Sequence, residues 1–353
     1  MTIAWKWGYV QEVLYAGYAG AITGDVKWRK RRYDDRLNAV SGSFAESKFL
    51  RLRVSVGFCL FLIQPVFGQP EMLEPPGRLI EVNGHRLHLN CTGEGRPTVV
   101  YEAAAGGSSL DWEKVQPVVA ATTRSCSYDR AGLGWSEPSD ADKTTSQDIA
   151  EELHELLRKA GEKAPYIMVS HSIGGFYLQM FAHLYPDEVA GAVLVDSSHK
   201  DQFDWYQKYA KASQNEPPTK TSERPSDEPS RTPETEKIVR AMNEDPKIAA
   251  TEKREGAGIV DSVTLLRKFD SLPNIPLIVL TKSAERQLED HWTTFDLMWN
   301  QAQRDLTTLS PRSTQIYVPG AGHYIHQARP DVVIASILRI VAIARKSDRV
   351  LRE

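Results

Sequence analysis

Residues 164–182 read APYIMVSHSIGGFYLQMFA, and the fold turns on how they are parsed. An apolar run, Tyr166 to Val169, stops at Ser170-His171-Ser172-Ile173-Gly174-Gly175, and a helix-like pattern begins at once. A serine at the C-terminal end of a buried strand, opening a helix, has its hydroxyl lifted clear of both elements. The next backbone N–H then points from the helix N-terminus toward any developing oxyanion. Such a turn is strained, and only small residues fit two positions either side of the nucleophile. Those positions hold Ser170 and Gly174. The usual pattern is G-x-S-x-G; this chain has S-x-S-x-G, and serine is small enough for the steric requirement. The plain alternative is a glycine-rich helix start with a capping serine.

Around this turn, short strands alternate with helical patterns, which predicts a mostly parallel sheet with helices on both faces. RLIEVNGHRLHLNCTG places two extended runs around Asn83-Gly84, a strong hairpin signal. PTVVYEAAAGGSSLDW reads as a buried strand ending in a Gly/Ser-rich loop, and TRSCSYDRAGLGWSEP as a further strand and loop. In TTSQDIAEELHELLRKAG, Thr144 and Gln147 have capping-box spacing, and Ile149, Leu153, Leu156 and Leu157 form one apolar stripe that Gly161 ends. AGAVLVDSS is a continuous apolar strand of the kind parallel sheets bury on both faces. Two helical stretches follow, near 201–211 and 234–268. Residues 213–236, rich in Pro, Ser and charge, read as a flexible segment. The strand IPLIVLT, a helix over about 288–308, the strand STQIYV and a last helix from Pro330 to about Arg345 complete the chain.

Composition sets the outer bounds. The 353 residues are 41% hydrophobic and 25% charged, enough to bury a substantial core, and a formal charge of −3 gives no reason to expect nucleic acid as a partner. The charge is unevenly divided: residues 1–68 carry ten Lys/Arg against five Asp/Glu, a net of +5, and the remainder carries −8. SKFLRLRVSVGFCLFLIQPVFGQPE reads as a secretory signal peptide over 48–68, with Lys48, Arg51 and Arg53 basic, an apolar core from Val54 to Ile63, and Val66 and Gly68 before the cleavage point. Residues 1–47 are then a non-native or disordered upstream extension. The expected location is outside the cytoplasm, periplasmic or extracellular, with no membrane anchor once the signal is cut. The alternative is a short anchor formed by residues 54–67. Loss of the signal removes Cys59 and leaves Cys91 and Cys126, which an exported protein can pair. No metal-binding spacing is present and no cofactor is expected.

A nucleophilic serine needs a base from another loop on the same edge of the sheet. His323, in YVPGAGHYIHQARP, follows the last strand with Gly320 and Gly322 beside it. His326 competes but lies further toward the helix, and His171 points elsewhere from a sharp turn, so it is read as structural. With these parts in order, AAAGGSSLDW, CSYDRAGLGWSEP, VSHSIGG, VLVDSSH and GAGHYIH, the chain resembles an α/β-hydrolase of the serine-esterase type over nearly all of residues 77–345. The resemblance implies a second oxyanion donor after TVVYE, at Ala105, beside the Ile173 N–H. It also makes the second and fourth strands neighbours and so pairs Cys91 with Cys126. Two residues compete for the acid: Asp196, ending AVLVD, and Glu285, in the loop after PLIVLT where most relatives keep theirs. Asp196 is preferred for its residue type and strand-end position, with Asp290 third.

The resemblance organises the chain as a first core part (69–198), a cap insertion (199–272) and a second core part (273–353). Its expected activity is hydrolysis of small-molecule carboxylic esters through an acyl-enzyme on Ser172. Relatives that open epoxides or remove halide use an aspartate nucleophile, which Ser172 is not. Trp205, Tyr206 and Tyr209, or Trp292, Phe295 and Trp299, are candidates to line an acyl pocket, with plain packing as the alternative. Two other functions stay open. One is an aminopeptidase or amidase, for which Asp201, Asp204 or Glu234 would hold a substrate amine; the other is a non-catalytic binding protein on the same fold.

Overall fold

The computed structural model of the protein describes residues 74–212, 230–282 and 294–350. The expected extension over 1–47 and the expected signal peptide over 48–68 lie outside the described residues. Eight strands form one sheet in the order β1-β2-β4-β3-β5-β6-β7-β8. The hairpin of β1 (Arg78–Val82) and β2 (His85–Thr92) turns at Asn83 and Gly84, both at positive φ (51° and 90°), as a two-residue turn between twisted strands requires. After β3 (Thr98–Glu102) the chain passes through a 3-10 turn at Ser109–Trp112 and a short helix α1 (Gln116–Ala120) to β4 (Ser125–Tyr128), which pairs parallel with β3 and antiparallel with β2. Cys91 and Cys126 are direct register partners on β2 and β4, and their sulfurs are bonded.

Helix α2 (Ser146–Ala160) then carries the chain back across to β5 (Tyr166–His171), on the other side of β3. The direction of winding therefore reverses at β3. At such a point the loops leaving two neighbouring strands diverge and open a crevice beyond their carboxyl ends. From β5 the chain continues through α3 (Gly174–Leu184), β6 (Val189–Val195), β7 (Leu277–Lys282) and β8 (Ser313–Val318), all parallel. Each central strand splits its side chains between two cores. Val100, Met168, Leu194 and Val279 face one; Val99, Tyr101, Val169, Val195 and Leu280 face the other. That double burial is why these strands read as unbroken apolar runs. Helix α3 is apolar all round and buried from Gly174 to Ala182, so it sits inside the molecule.

Between β6 and β7, where a cap is expected, lie α4 (Gln202–Ala212), α5 (Pro233–Asn243), α6 (Pro246–Ala257) and α7 (Ile259–Leu266). The helical stretch expected over 234–268 is thus three helices. Asp245 caps α6, accepting the Lys247 N–H at 2.9 Å, and Gly258 separates α6 from α7. The flexible reading of 213–236 needs correction at its end. Arg231 reaches Asp111 at 2.5 Å, the Thr232 N–H donates to Glu113 at 2.9 Å, and Thr232 caps α5 from Pro233 onward. These anchors belong to the other side of the chain, so local composition carries no sign of them. The capping box of α2 is likewise one residue on from its expected place. Thr145 and Asp148 form it, while the Thr144 hydroxyl accepts a hydrogen bond from Arg254 of α6 at 3.0 Å. The chain ends in α8 (Thr294–Leu306), the short α9 (Ile325–Ala328) and α10 (Pro330–Val350). Among the described residues no helix is long and apolar enough to cross a membrane.

Candidate active site

Ser172 is a single residue at φ +54° between β5 and α3. A left-handed conformation at a residue with a Cβ costs roughly 1–2 kcal/mol, so the surrounding structure must hold it in place. Three backbone hydrogen bonds do so: its N–H donates to Val195 O at 3.3 Å, and its carbonyl accepts from Gly175 at 3.0 Å and Ser198 at 2.8 Å. The residue stays partly exposed while its neighbours are buried. The two glycines after it are demanded by close approach. A Cβ on Gly174 would stand 2.8 Å from the Ala103 carbonyl oxygen, and one on Gly175 would stand 2.8 Å from Ser197 Cβ. Ser170 replaces the usual first glycine by lodging its hydroxyl 3.3 Å from Ser197 Oγ.

His323 lies in the loop after β8, where Gly320 takes φ +70°. Its Nδ1 is 2.6 Å from Asp196 Oδ2, and both side chains are buried. Asp196 sits at the end of β6 with φ +43°, and its other oxygen accepts the Lys282 N–H at 3.1 Å. The carboxylate is therefore aimed by β7 on one side while it holds the histidine on the other. Glu285, Asp290 and Trp292 lie outside the described residues, as do the side chains of Tyr206, Tyr209 and Phe295. Trp299 presents its ring edge-on to His323 with centroids 5.5 Å apart, whereas Trp205 stacks on His199.

His171 has a structural role, as read from the sequence, but it points toward the His323 loop rather than elsewhere. Its Nε2–H donates to the His323 backbone carbonyl at 3.0 Å, so it props the loop that carries His323. Its ring lies 4.5 Å from both the His323 and His326 rings. Burial, with the neighbouring His326 and His323 rings, keeps His171 well below the usual histidine range and therefore neutral. His326 is wedged against Trp112 with centroids 4.7 Å apart, its ring nitrogens without hydrogen-bond partners, and burial pushes it down to about 3. It fills space behind the site.

Ala105 occupies a tight turn closed by the Gly107 N–H donating to Ala104 O at 3.1 Å, with Gly106 at φ +63°. This loop follows β3, immediately beside the Ser172 turn at the end of β5, which is the crevice created by the winding reversal. Ile173 stands at the start of α3, where the first backbone N–H groups have no partner within the helix. Among the described residues, one set of ligand atoms lies close enough to share a metal ion, Cys91, Cys126 and Glu162, and its sulfurs are taken up in the disulfide.

A positive-φ serine thus opens a buried helix at a switch point, and a buried Asp–His pair lies after β6 and β8, on the same edge of the sheet. The model of the alpha/beta hydrolase family matches residues 99–336, and the chain belongs to that family. Its fold is similar to that of a thermophilic esterase from Thermogutta terrifontis, with a TM-score of 0.57 and 18% identity over 76% of this chain and 99% of that one. The epoxide hydrolase CorEH is similar to the same degree, with a TM-score of 0.56 and 20% identity over 75% and 98% of the two chains. In sequence, the uncharacterized protein YbdG of Bacillus subtilis (strain 168) is 27% identical over 165 residues, 46% of this chain and 50% of that one. The chain spans half or less of the length of the first three curated relatives that it matches, from 18% to 50%.

Proposed function

We propose that the chain is an exported carboxylic-ester hydrolase acting through an acyl-enzyme on Ser172. The observation that carries this reading is the buried contact of His323 Nδ1 with Asp196 Oδ2, in the loop propped by the residue next to the strained serine. In the proposed reaction His323 takes the proton from the Ser172 hydroxyl on its other ring nitrogen as the oxygen attacks the ester carbonyl. Asp196 holds the Nδ1–H and stabilises the imidazolium. The Ala105 and Ile173 N–H groups receive the charge on the carbonyl oxygen, where losing one such donor typically costs about 10²–10³ in rate. The proton then passes to the leaving alcohol, and water, activated by the same histidine, releases the acid.

Serine chemistry separates this reading from epoxide opening. Attack of a serine on an epoxide carbon would leave an ether that water does not release, whereas an acyl-serine ester hydrolyses. Against an aminopeptidase, Asp201 and Asp204 both pair with Arg267 of the cap, and Glu234 is exposed on α5, so these carboxylates are poorly suited to hold a substrate amine. Treatment of the purified full chain with a fluorophosphonate, followed by peptide mapping, tests the nucleophile. Label on Ser172 that is lost in His323→Ala supports the reading, and no label on folded protein sinks it in favour of a binding protein. Export is tested separately by fractionating expressing cells and sequencing the mature N-terminus, for which Gln69 is the expected first residue.

A further inference from the structure

The cap and the oxyanion loop meet at one fully buried side chain, Arg130, in the segment SYDRAGLGWSEP. Its guanidinium has five N–H donors, and all five have acceptors. Nε donates to Glu255 Oε1 at 2.8 Å; Nη1 donates to Glu102 Oε1 at 2.7 Å and to the Ala103 carbonyl at 2.9 Å. Nη2 donates to the Ala104 carbonyl at 2.8 Å and to Glu255 Oε2 at 3.2 Å. Glu102 ends β3, Ala103 and Ala104 are the two residues before Ala105, and Glu255 comes from cap helix α6. The same helix lies on both neighbouring loops. Arg254 donates to the Ala131 carbonyl at 2.6 Å, a Cβ on Gly132 would strike Thr251 Oγ1, and one on Gly106 would stand 2.5 Å from Glu252 Oε1.

We propose that Arg130 is a positioning residue, held by Glu255 of the cap, that orients the Ala105 N–H toward the oxyanion. The inference rests on the acyl-enzyme reading above. Fixing two successive carbonyls fixes the peptide planes on either side of Ala104, and the second of these planes contains the Ala105 N–H. A planar fork with five fixed donors can do this; an ammonium with three mobile ones cannot reach all four partner residues at once. A salt-bridged arginine serving only to tie the cap down would have no reason to spend two donors on those carbonyls. Tyr177 adds its ring face, 5.0 Å from the guanidinium carbon, so the side chain is confined from every side.

The test compares wild type, Arg130→Lys and Glu255→Gln as full chains. Thermal midpoint and near-UV circular dichroism report folding, p-nitrophenyl esters give kcat and KM, and a trifluoromethyl ketone, whose serine adduct carries an oxyanion, gives an inhibition constant. The expected result is that both variants lose about 10- to 100-fold in kcat and bind the ketone more weakly by the same factor, with KM within about threefold. Glu255→Gln keeps the side-chain volume and leaves Arg130 facing Glu102, so it decides the matter where Arg130→Lys does not fold. A drop in thermal midpoint with kcat and ketone affinity unchanged would mean a structural tie only, and overturns the inference. Wild type is read first. A wild type that neither takes fluorophosphonate nor cleaves esters sinks the hydrolase reading itself. A labelled wild type with indifferent variants sinks the role of Arg130 alone.

Discussion

Asp196 reaches His323 across 127 positions of sequence, Oδ2 to Nδ1 at 2.6 Å, from the end of β6. The carboxylate comes from the strand next to that of the serine, one strand earlier than the Glu285 position after β7. Asp196→Asn is therefore expected to lower ester kcat by about 10³–10⁴-fold with the fold intact, and Glu285→Gln to leave it within about twofold. Initial rates on a chromogenic ester, with circular dichroism as a folding control, check both. The reverse pattern would move the acid to Glu285.

Gly174 and Gly256 should respond to alanine in opposite directions. At Gly174 the new methyl would meet the Ala103 carbonyl oxygen and Glu102 Cγ, both at 2.8 Å, and Glu102 is pinned by Arg130. Gly174→Ala is expected to cost about 1–3 kcal/mol of stability. Gly256 lies on α6 with nothing within 4 Å of a Cβ, so Gly256→Ala is expected to gain about 0.5–1 kcal/mol. Urea unfolding of the two variants gives both numbers, and a stable Gly174→Ala would contradict the packing described.

His326 should make the protein sensitive to acid. Burial pushes its pKa from 6.5 down to about 3, so between those values the unfolded chain binds a proton that the native protein refuses. Stability then falls as pH falls through 6.5, by about 2 kcal/mol at pH 5 from this group, at about 1.4 kcal/mol per unit. His326→Phe keeps a ring against Trp112 and His171 and removes the proton site. Its loss of stability between pH 7.5 and pH 5 is expected to be smaller than that of wild type; an equal loss would assign the sensitivity elsewhere.

Glu102 works with the opposite sign. Burial raises its pKa from 4.5 to about 7 and outweighs the hydrogen bonds and charge of Arg130 and the Tyr128 hydroxyl, which lower it. Between 4.5 and 7 the native protein keeps a proton that the unfolded chain has released, so stability falls as pH rises across that window and levels off above it. Glu102→Gln removes this contribution. The variant's unfolding free energy, measured at steps from pH 5 to pH 8, is expected to rise relative to wild type as pH increases; parallel curves would refute the raised pKa.

Much of this molecule was readable along the chain because the signals are local. Asn83-Gly84 names its own turn, the apolar runs at 166–169 and 191–195 announce doubly buried strands, and Gly174-Gly175 after Ser172 mark a helix start under close approach. Other readings shifted. The helical stretch 234–268 broke at local signals, the Asp245-Pro246 cap and Gly258, whereas residues 230–236 were drawn into structure by the distant Asp111 and Glu113, and Thr144 is engaged by the distant Arg254 while Thr145 forms the cap. Arg130 lay in plain view in a quoted motif, and nothing in its neighbours pointed to a role.

The sequence by itself determined the alternation of elements, the strained serine turn and the glycine-flanked histidine loop, since backbone conformation and side-chain periodicity are set over a few residues. Only the tertiary structure decided which carboxylate meets His323, that His171 props the histidine loop, and that Glu255 of α6 meets Arg130. Those contacts join residues 125 to 152 positions apart, from Arg130 with Glu255 to His171 with His323. Distances of that kind follow from strand order and from burial, which reward a pairing only after the sheet has brought its partners together.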